Sequence, residues 1–276
     1  MPIIHPTAIV DRNARLADDV VVGPYTTIGP KVAIGKGTVV GSHCVLEGRT
    51  TVGQHNRIFH HVTLGQEPQD LKFRGEDTSL EIGDHNDIRE FVTMHVGTAN
   101  GGGSTSVGSH NLLMVNAHIA HDSHVGSHCI LANNVMLAGH VEVHDHAIIS
   151  GAAAVSHFVT IGRYAFIGGV AGVVHDCPPY MISDGHPARV RSLNSIGLQR
   201  HKFDAESVKA LERAYMLIFG KRSRNQAAGL EEAEATLGHD RHVTELIRFI
   251  REAWHAPNGR RLEWQRHDNK RATPTR

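Results

Sequence analysis

Two histidines three residues apart, the second followed at once by a carboxylate, stand out in Asn116-Ala117-His118-Ile119-Ala120-His121-Asp122. An unperturbed imidazole titrates at about 6.5, so a neutral His121 can accept a proton near neutral pH. An acceptor on its other nitrogen would fix the ring, and either Asp122 or a nearby carbonyl can fill that part. General-base chemistry needs such a pair held still. The rest of the chain must supply the scaffold.

Composition narrows the choice. The 276 residues leave room for one large domain and a small one. Lys+Arg and Asp+Glu both total 28, which gives no electrostatic case for nucleic acid or a membrane surface. No apolar run follows a basic start, and no stretch nears the ~18 apolar residues of a bilayer span, so a cytoplasmic protein is expected. Cys44, Cys129 and Cys177 are an odd number at no metal-ligand spacing and are expected to be reduced packing residues. Most of the 23 histidines are expected at the surface or in turns, so their number alone is no argument for a metal.

A six-residue period dominates the chain. From Ile4 an aliphatic side chain returns every sixth residue through Val22, Val40 and Ile58 to Leu64. Residues 65–81 interrupt it, and it resumes at Ile82, Ile88 and Met94. After the glycine-rich residues 100–106 it restarts, shifted by one, at Val107 and runs through Ile119, Leu137 and Val155 to Val173. Every site so reached is Leu, Ile, Val or Met. The fifth place is small (Thr26, Cys44, Ala117, Cys129, Ala153) and the second is often glycine (Gly23, Gly53, Gly83, Gly108, Gly126, Gly162). Helices repeat near 3.6 residues and simple strands near 2, so neither fits. Short strands joined by tight corners do fit, with the glycines expected to permit positive φ there. Three hexads then make an 18-residue triangular coil, and parallel pairing stacks the coils about 4.8 Å apart.

The repeat stops at Pro178-Pro179, and helical signals follow. Asp204 can cap a helix ending at Gly220, with Val208, Leu211, Tyr215 and Ile218 on one face. Further helices are expected at 226–237 and from His242, the latter burying Val243, Leu246, Ile247, Ile250 and Trp254. The expected domains are a β-helix over 1–189, a helical domain over 190–257, and a basic disordered tail over 258–276.

An 18-residue coil puts His121, Gly139 and His157 in one phase, hence on one edge, with His118, His140 and Ser156 beside them. Gly139 offers a backbone N–H with no side chain in the way, as an oxyanion donor requires. Two other readings stay open: solvated corner histidines, and a three-histidine metal site from His118, His121 and His140, as in the gamma-class carbonic anhydrases.

NAHIAHD, with ILANN at 130–134, LAGHVEV at 137–143, IGDHNDIRE at 82–90, GGGSTSVGSHNLLM at 101–114 and QDLK at 69–72, resembles the acyl-[acyl-carrier-protein]–UDP-N-acetylglucosamine O-acyltransferases of lipid A synthesis. The resemblance runs from about residue 3 to 220. It implies an all-β left-handed parallel β-helix followed by a small α-helical C-terminal domain. It implies no cofactor and no metal, with His121 as general base, Asp122 beside it and Gly139 as oxyanion donor. It also implies substrate contacts from Asp70, Lys72, His118, His140, Ser156, His157, Asn194 and Arg200, and an acyl-chain ruler at Gly169. The implied partners are acyl carrier protein, UDP-N-acetylglucosamine and two further copies in a homotrimer with interfacial sites. A basic cluster of Arg213, Lys221, Arg222 and Arg224 could dock the acidic carrier. The acceptor atom could be a 3-hydroxyl or a 3-amino group within this resemblance. The chain departs from the family at Ser156-His157, where His-Gln is usual. It departs again at Ile196, in place of an acid, and at His201, in place of arginine.

Overall fold

The computed structural model describes residues 1–220 and 225–266. Short strands alternate with two-residue corners, and within the repeat each pairs in parallel with the one a coil further on, eighteen residues away except across the two interruptions, where the offset is 30 or 25. Ile119 faces Leu137, and Leu137 faces Val155. The result is a three-faced prism of eleven, nine and eight strands. The chain visits the first face at Ile3–Ile4, the second at Ile9–Val10 and the third at Arg15–Leu16. An antiparallel hairpin, Met181–Gly185 with Ala188–Leu193, closes the first face.

The inward positions form one continuous ladder. Leu113, Ile119, Leu131, Leu137 and Ile149 have no exposed surface, and burying each such side chain contributes about 1.5–3 kcal/mol. The three cysteines are free and buried in the small fifth places. Burial pushes the Cys129 and Cys177 thiols up to about 12, which makes them packing groups and not nucleophiles.

The corners differ from expectation. Residues with positive φ there are mostly not glycine: His43, His55 and His61 sit at 57°, 54° and 60°. Histidine, asparagine and aspartate tolerate this conformation better than most residues. Stacking then rewards a ring at the same corner of each coil, and His85–His110 and His110–His128 lie 4.9 and 4.8 Å apart. That accounts for much of the histidine content. The hexad glycines answer to a different constraint, since a Cβ on Gly23 would stand 2.7 Å from the Gly41 carbonyl carbon of the next coil.

Beyond the hairpin come α1 (Ser195–Arg200), α2 (Ala205–Phe219), α3 (Gln226–Leu237) and α4 (Arg241–His255). Asp204 caps α2 through the Ser207 N–H, as its position predicts. Leu198, Leu211, Ile218, Leu246 and Ile250 bury a second core against Tyr180 and Met181. Trp254 is 42% exposed, and Ala253 takes the inward place instead because it completes the 243/246/250 stripe. No helix among the described residues is long and apolar enough to cross a membrane.

The disordered tail expected from 258 is folded as far as Arg266. Pro257–Gly259 and Arg261–Gln265 form two tight turns laid against the β-helix. Composition had marked the segment as polar, but its polar groups are engaged. The Asp176 N–H donates to the Gly259 carbonyl at 2.9 Å, and the Arg261 N–H donates to Asp176 Oδ2 at 2.7 Å.

Both interruptions of the repeat lie on one edge. Thr63–Gln66 and Thr93–His95 belong to the second face, and the chain re-enters the third at Ser79–Ile82 and Ser104–Val107.

Candidate active site

The edge between the second and third faces carries His121 and Asp122 in one coil, Gly139 and His140 in the next, and Ser156, His157 and Phe158 above them. Strand pairing on the two flanking faces fixes this vertical order. The His121 imidazole lies against the open side of Gly139, where a Cβ would meet its Cε1 at 2.6 Å and its Nε2 at 2.8 Å. Among the described residues no backbone carbonyl accepts the Gly139 N–H.

His121 Nδ1 and Asp122 Oδ2 are 2.8 Å apart, both side chains being buried. Asp122 takes the corner's positive φ of 59° and is tied down by the second interruption. The Thr98 N–H donates to Oδ1 and the Thr98 hydroxyl to Oδ2, each at 2.7 Å. Its own N–H donates to Thr105 Oγ1 at 2.8 Å. Burial opposes the Asp122 charge, but the bonds from His121 and Thr98 and the nearby His140 outweigh it. The carboxyl is held below its usual range. An ionised Asp122 accepts the Nδ1 proton, which leaves the lone pair of His121 on Nε2.

Three more imidazoles surround this pair. His118 projects from the second face with Nδ1 2.7 Å from Thr93 Oγ1, and His95 meets it edge-on at 4.9 Å. The His140 ring stands perpendicular to His121 at 5.2 Å and stacks on Phe158 at 4.4 Å. Burial drives His95 and His140 down to about 4, and lowers His118 as well. All three are neutral near pH 7 and add no positive charge beside His121. His157 is also lowered by burial.

His95, Thr98 and Phe158 escaped the sequence reading. His95 directly follows the hexad residue Met94 at a break in phase, and Thr98 lies inside that break. The break itself was the available signal, because a chain leaving the repeat at a fixed edge must pass what that edge displays.

Other expected residues divide by edge. Asp70 and Lys72 sit in the first interruption, on this edge. Asp70 Oδ1 accepts the Lys72 N–H at 3.0 Å, and its charge reaches His140. Gly169 lies on the edge between the first and second faces, stacked over Gly151. Asn194 caps α1 beside the third–first edge, accepting from the Gly197 N–H at 3.1 Å and donating to the Tyr164 carbonyl at 2.9 Å. Arg200 is exposed in the last turn of α1. Within one chain these three do not join the His121 cluster. Arg213 is exposed on α2, while Lys221, Arg222 and Arg224 lie outside the described residues. Among the described residues the metal-capable grouping is His121, Asp122 and His140, not the three histidines considered for a metal site.

Comparison with known proteins fits this geometry. Residues 176–258 match the family described as "Udp N-acetylglucosamine O-acyltransferase; Domain 2". Residues 104–139 match "Bacterial transferase hexapeptide (six repeats)". The acyl-[acyl-carrier-protein]–UDP-N-acetylglucosamine O-acyltransferase of Thiobacillus denitrificans is 47% identical, over 92% of this chain and 98% of that protein. Its namesake from Myxococcus xanthus is 49% identical over the same shares. Among solved structures, LpxA from Acinetobacter baumannii superposes with a TM-score of 0.85 at 43% identity, over 89% of this chain and 95% of that one. The UDP-N-acetylglucosamine acyltransferase of Francisella novicida gives 0.86 at 34% identity, over 90% and 91%. The architecture they share with this chain is a left-handed parallel β-helix with a helical C-terminal domain.

Proposed function

The chain belongs to the acyl-[acyl-carrier-protein]–UDP-N-acetylglucosamine O-acyltransferase family, and we propose that the His121–Asp122–Gly139 edge is where it transfers the acyl group. The enzyme moves an acyl chain from acyl carrier protein to UDP-N-acetylglucosamine, a step of lipid A synthesis. The observation that carries the site assignment is the contact between the His121 ring, oriented by a buried carboxylate, and the bare Gly139 backbone.

In this reading His121 Nε2 takes the proton of the sugar 3-hydroxyl as its oxygen attacks the thioester carbonyl. Negative charge develops on the carbonyl oxygen and is met by the Gly139 N–H. As the C–S bond breaks, the departing thiolate takes the proton from the His121 imidazolium, which Asp122 stabilises in the interim. Neutral His95, His118 and His140 can bond sugar and acyl oxygens. Asp70, Lys72, Ser156 and His157 line the same edge and are assigned to substrate contact. Gly169, Asn194 and Arg200, on the other two edges, reach a site only when supplied by another copy. That supports a homotrimer with active sites between subunits. Arg213 is assigned to carrier docking.

The test is formation of O-acylated UDP-N-acetylglucosamine, read by mass spectrometry. His121→Ala should lower the rate by 10²–10⁴-fold, the usual worth of a general base. Near-normal turnover by that variant would reject the assignment, and a product acylated at a sugar nitrogen would reject the 3-hydroxyl acceptor.

A further inference from the structure

The prism is incomplete at the top of the active edge. Coils below repeat every eighteen residues, but Cys177 bridges Ile161, only sixteen residues before it. The last corner is therefore two residues short. Asp176 occupies the place above Thr160, accepting its N–H at 2.7 Å, and the β-helix has no residue left to cover Phe158. One face of the Phe158 ring is taken by His140 at 4.4 Å. The other would stand open.

The C-terminal turns fill that rung. The Arg266 guanidinium carbon sits 4.7 Å from the centre of the Phe158 ring. With His140 already flat against one face, the cation must occupy the other, a favourable placement over a π-system. Six residues earlier, Arg260 Nη1 donates to the His157 carbonyl at 3.1 Å. Glu263, its side chain 1% exposed, lies between the two arginines at 2.8 and 3.3 Å and sets their spacing. The segment is anchored on the same edge by Asn258, whose carbonyl is 2.7 Å from His175 Nδ1, and by Arg261 on Asp176. The anchors and both arginines thus converge on consecutive coils of the edge that carries His121. Residues 259–266 also lie beyond the stretch matched by the family domain, which ends at 258.

We propose that Arg266 and Arg260 are positioning residues of the transferase site, completing its top rung and holding Phe158, and through it His140, together with the backbone of His157. The inference rests on the reading of this edge as the transfer site. It makes the two turns a working part of the enzyme, which a polar tail would not be. The groups facing His157 are His121 and His140 below, the Gly139 carbonyl, and Arg266 and Arg260 above. Burial, then the charges of His121, Arg266 and Arg260, hold that imidazole below its ordinary range. Loss of the upper cations therefore raises it.

The test compares the full-length enzyme with Arg266→Met, which keeps an aliphatic cover, and Arg266→Lys, which keeps the charge. Rates are measured against UDP-N-acetylglucosamine concentration and pH, with thermal unfolding in parallel. Arg266→Met should cost about tenfold in kcat/KM, because small displacements of aligned groups are expensive. It should also move the acid limb of the pH–rate profile upward, the direction in which loss of the cation moves His157, and Arg266→Lys should restore part of both. A variant that unfolds at lower temperature yet keeps kcat, KM and pH profile would overturn the proposal and reduce the turns to a brace. Activity in the wild type that vanishes in His121→Ala, with no effect from either Arg266 variant, would sink this inference while leaving the site assignment standing. Should Arg266→Met fail to fold, Arg266→Gln, which also removes the charge, takes its place, and an unchanged kcat/KM and pH profile there would overturn the proposal as well.

Discussion

Adding one methyl group at Gly139 isolates the central geometric claim. Gly139 is not among the positive-φ residues, so alanine meets no backbone penalty there, and the helical coil should form as before. The new Cβ would sit 2.6 Å from His121 Cε1, 2.8 Å from Nε2 and 3.1 Å from Nδ1. Ordinary carbon contacts begin near 3.5 Å, so the ring must retreat by about 0.9 Å. It cannot do so freely, because Nδ1 is held 2.8 Å from a carboxylate that Thr98 pins with two bonds. Displacing a reacting group by this order of distance costs about 10²-fold in rate. Gly139→Ala should therefore lose about 10²-fold in kcat while its melting temperature stays within a few degrees of wild type, since only one mobile ring is strained. Steady-state transfer kinetics together with a thermal melt give both numbers. An alanine enzyme within threefold of wild type would mean that His121 and Gly139 do not share a reacting carbonyl.

Acid stability follows from the buried imidazoles. His95 and His140 are depressed to about 4 in the fold, whereas the unfolded chain protonates them near 6.5. Between those values the unfolded state binds more protons, so stability is full above about 6.5 and falls as pH drops towards 4. The loss is up to ~3 kcal/mol for each ring, and Asp122, held below its usual range, adds a further loss at still lower pH. Urea unfolding at pH 7.5 and 4.5 checks this; equal stabilities would mean the rings are not buried as neutral groups. Interfacial sites make a separate prediction. Equal amounts of His121→Ala and Arg200→Ala chains, each nearly inactive alone, should after subunit mixing recover about a quarter of wild-type activity, the share of random interfaces with both residues intact. No recovery would mean that both residues must come from one chain, against a site shared between subunits.

The architecture was readable because the inward ladder leaves no choice: Ile119, Leu137 and Val155 recur without exception, and an 18-residue coil then stacks 121 on 139. Three features were not. Histidine at corners such as His43 and His85 looked like an ordinary surface or turn residue, when ring stacking between coils is what repeats. The hexad glycines looked like φ-driven choices, but Gly23 is set by contact with the coil above. The segment after Pro257 looked disordered because its contacts run to residues 157–176, about a hundred positions away, and to backbone groups that composition does not reveal. His95 and Thr98 were hidden for the same reason, since a break in phase shows where the chain leaves but not what it touches on return.

That distinction bears on how such a fold acquires specificity. A coil needs only its inward residue in phase, so an insertion is tolerated wherever the chain can re-enter, whether eighteen residues on, as from Leu64 to Ile82, or thirteen, as from Met94 to Val107. Nothing in the hexad requires both to open on the same edge. Here they do, the second holds the carboxylate that orients His121, and a third non-repeat segment returns from the C-terminus to close the same edge from above. The repeat fixes where the imidazole and the bare amide stand relative to one another. The three irregular segments fix what can lie along the edge beside them.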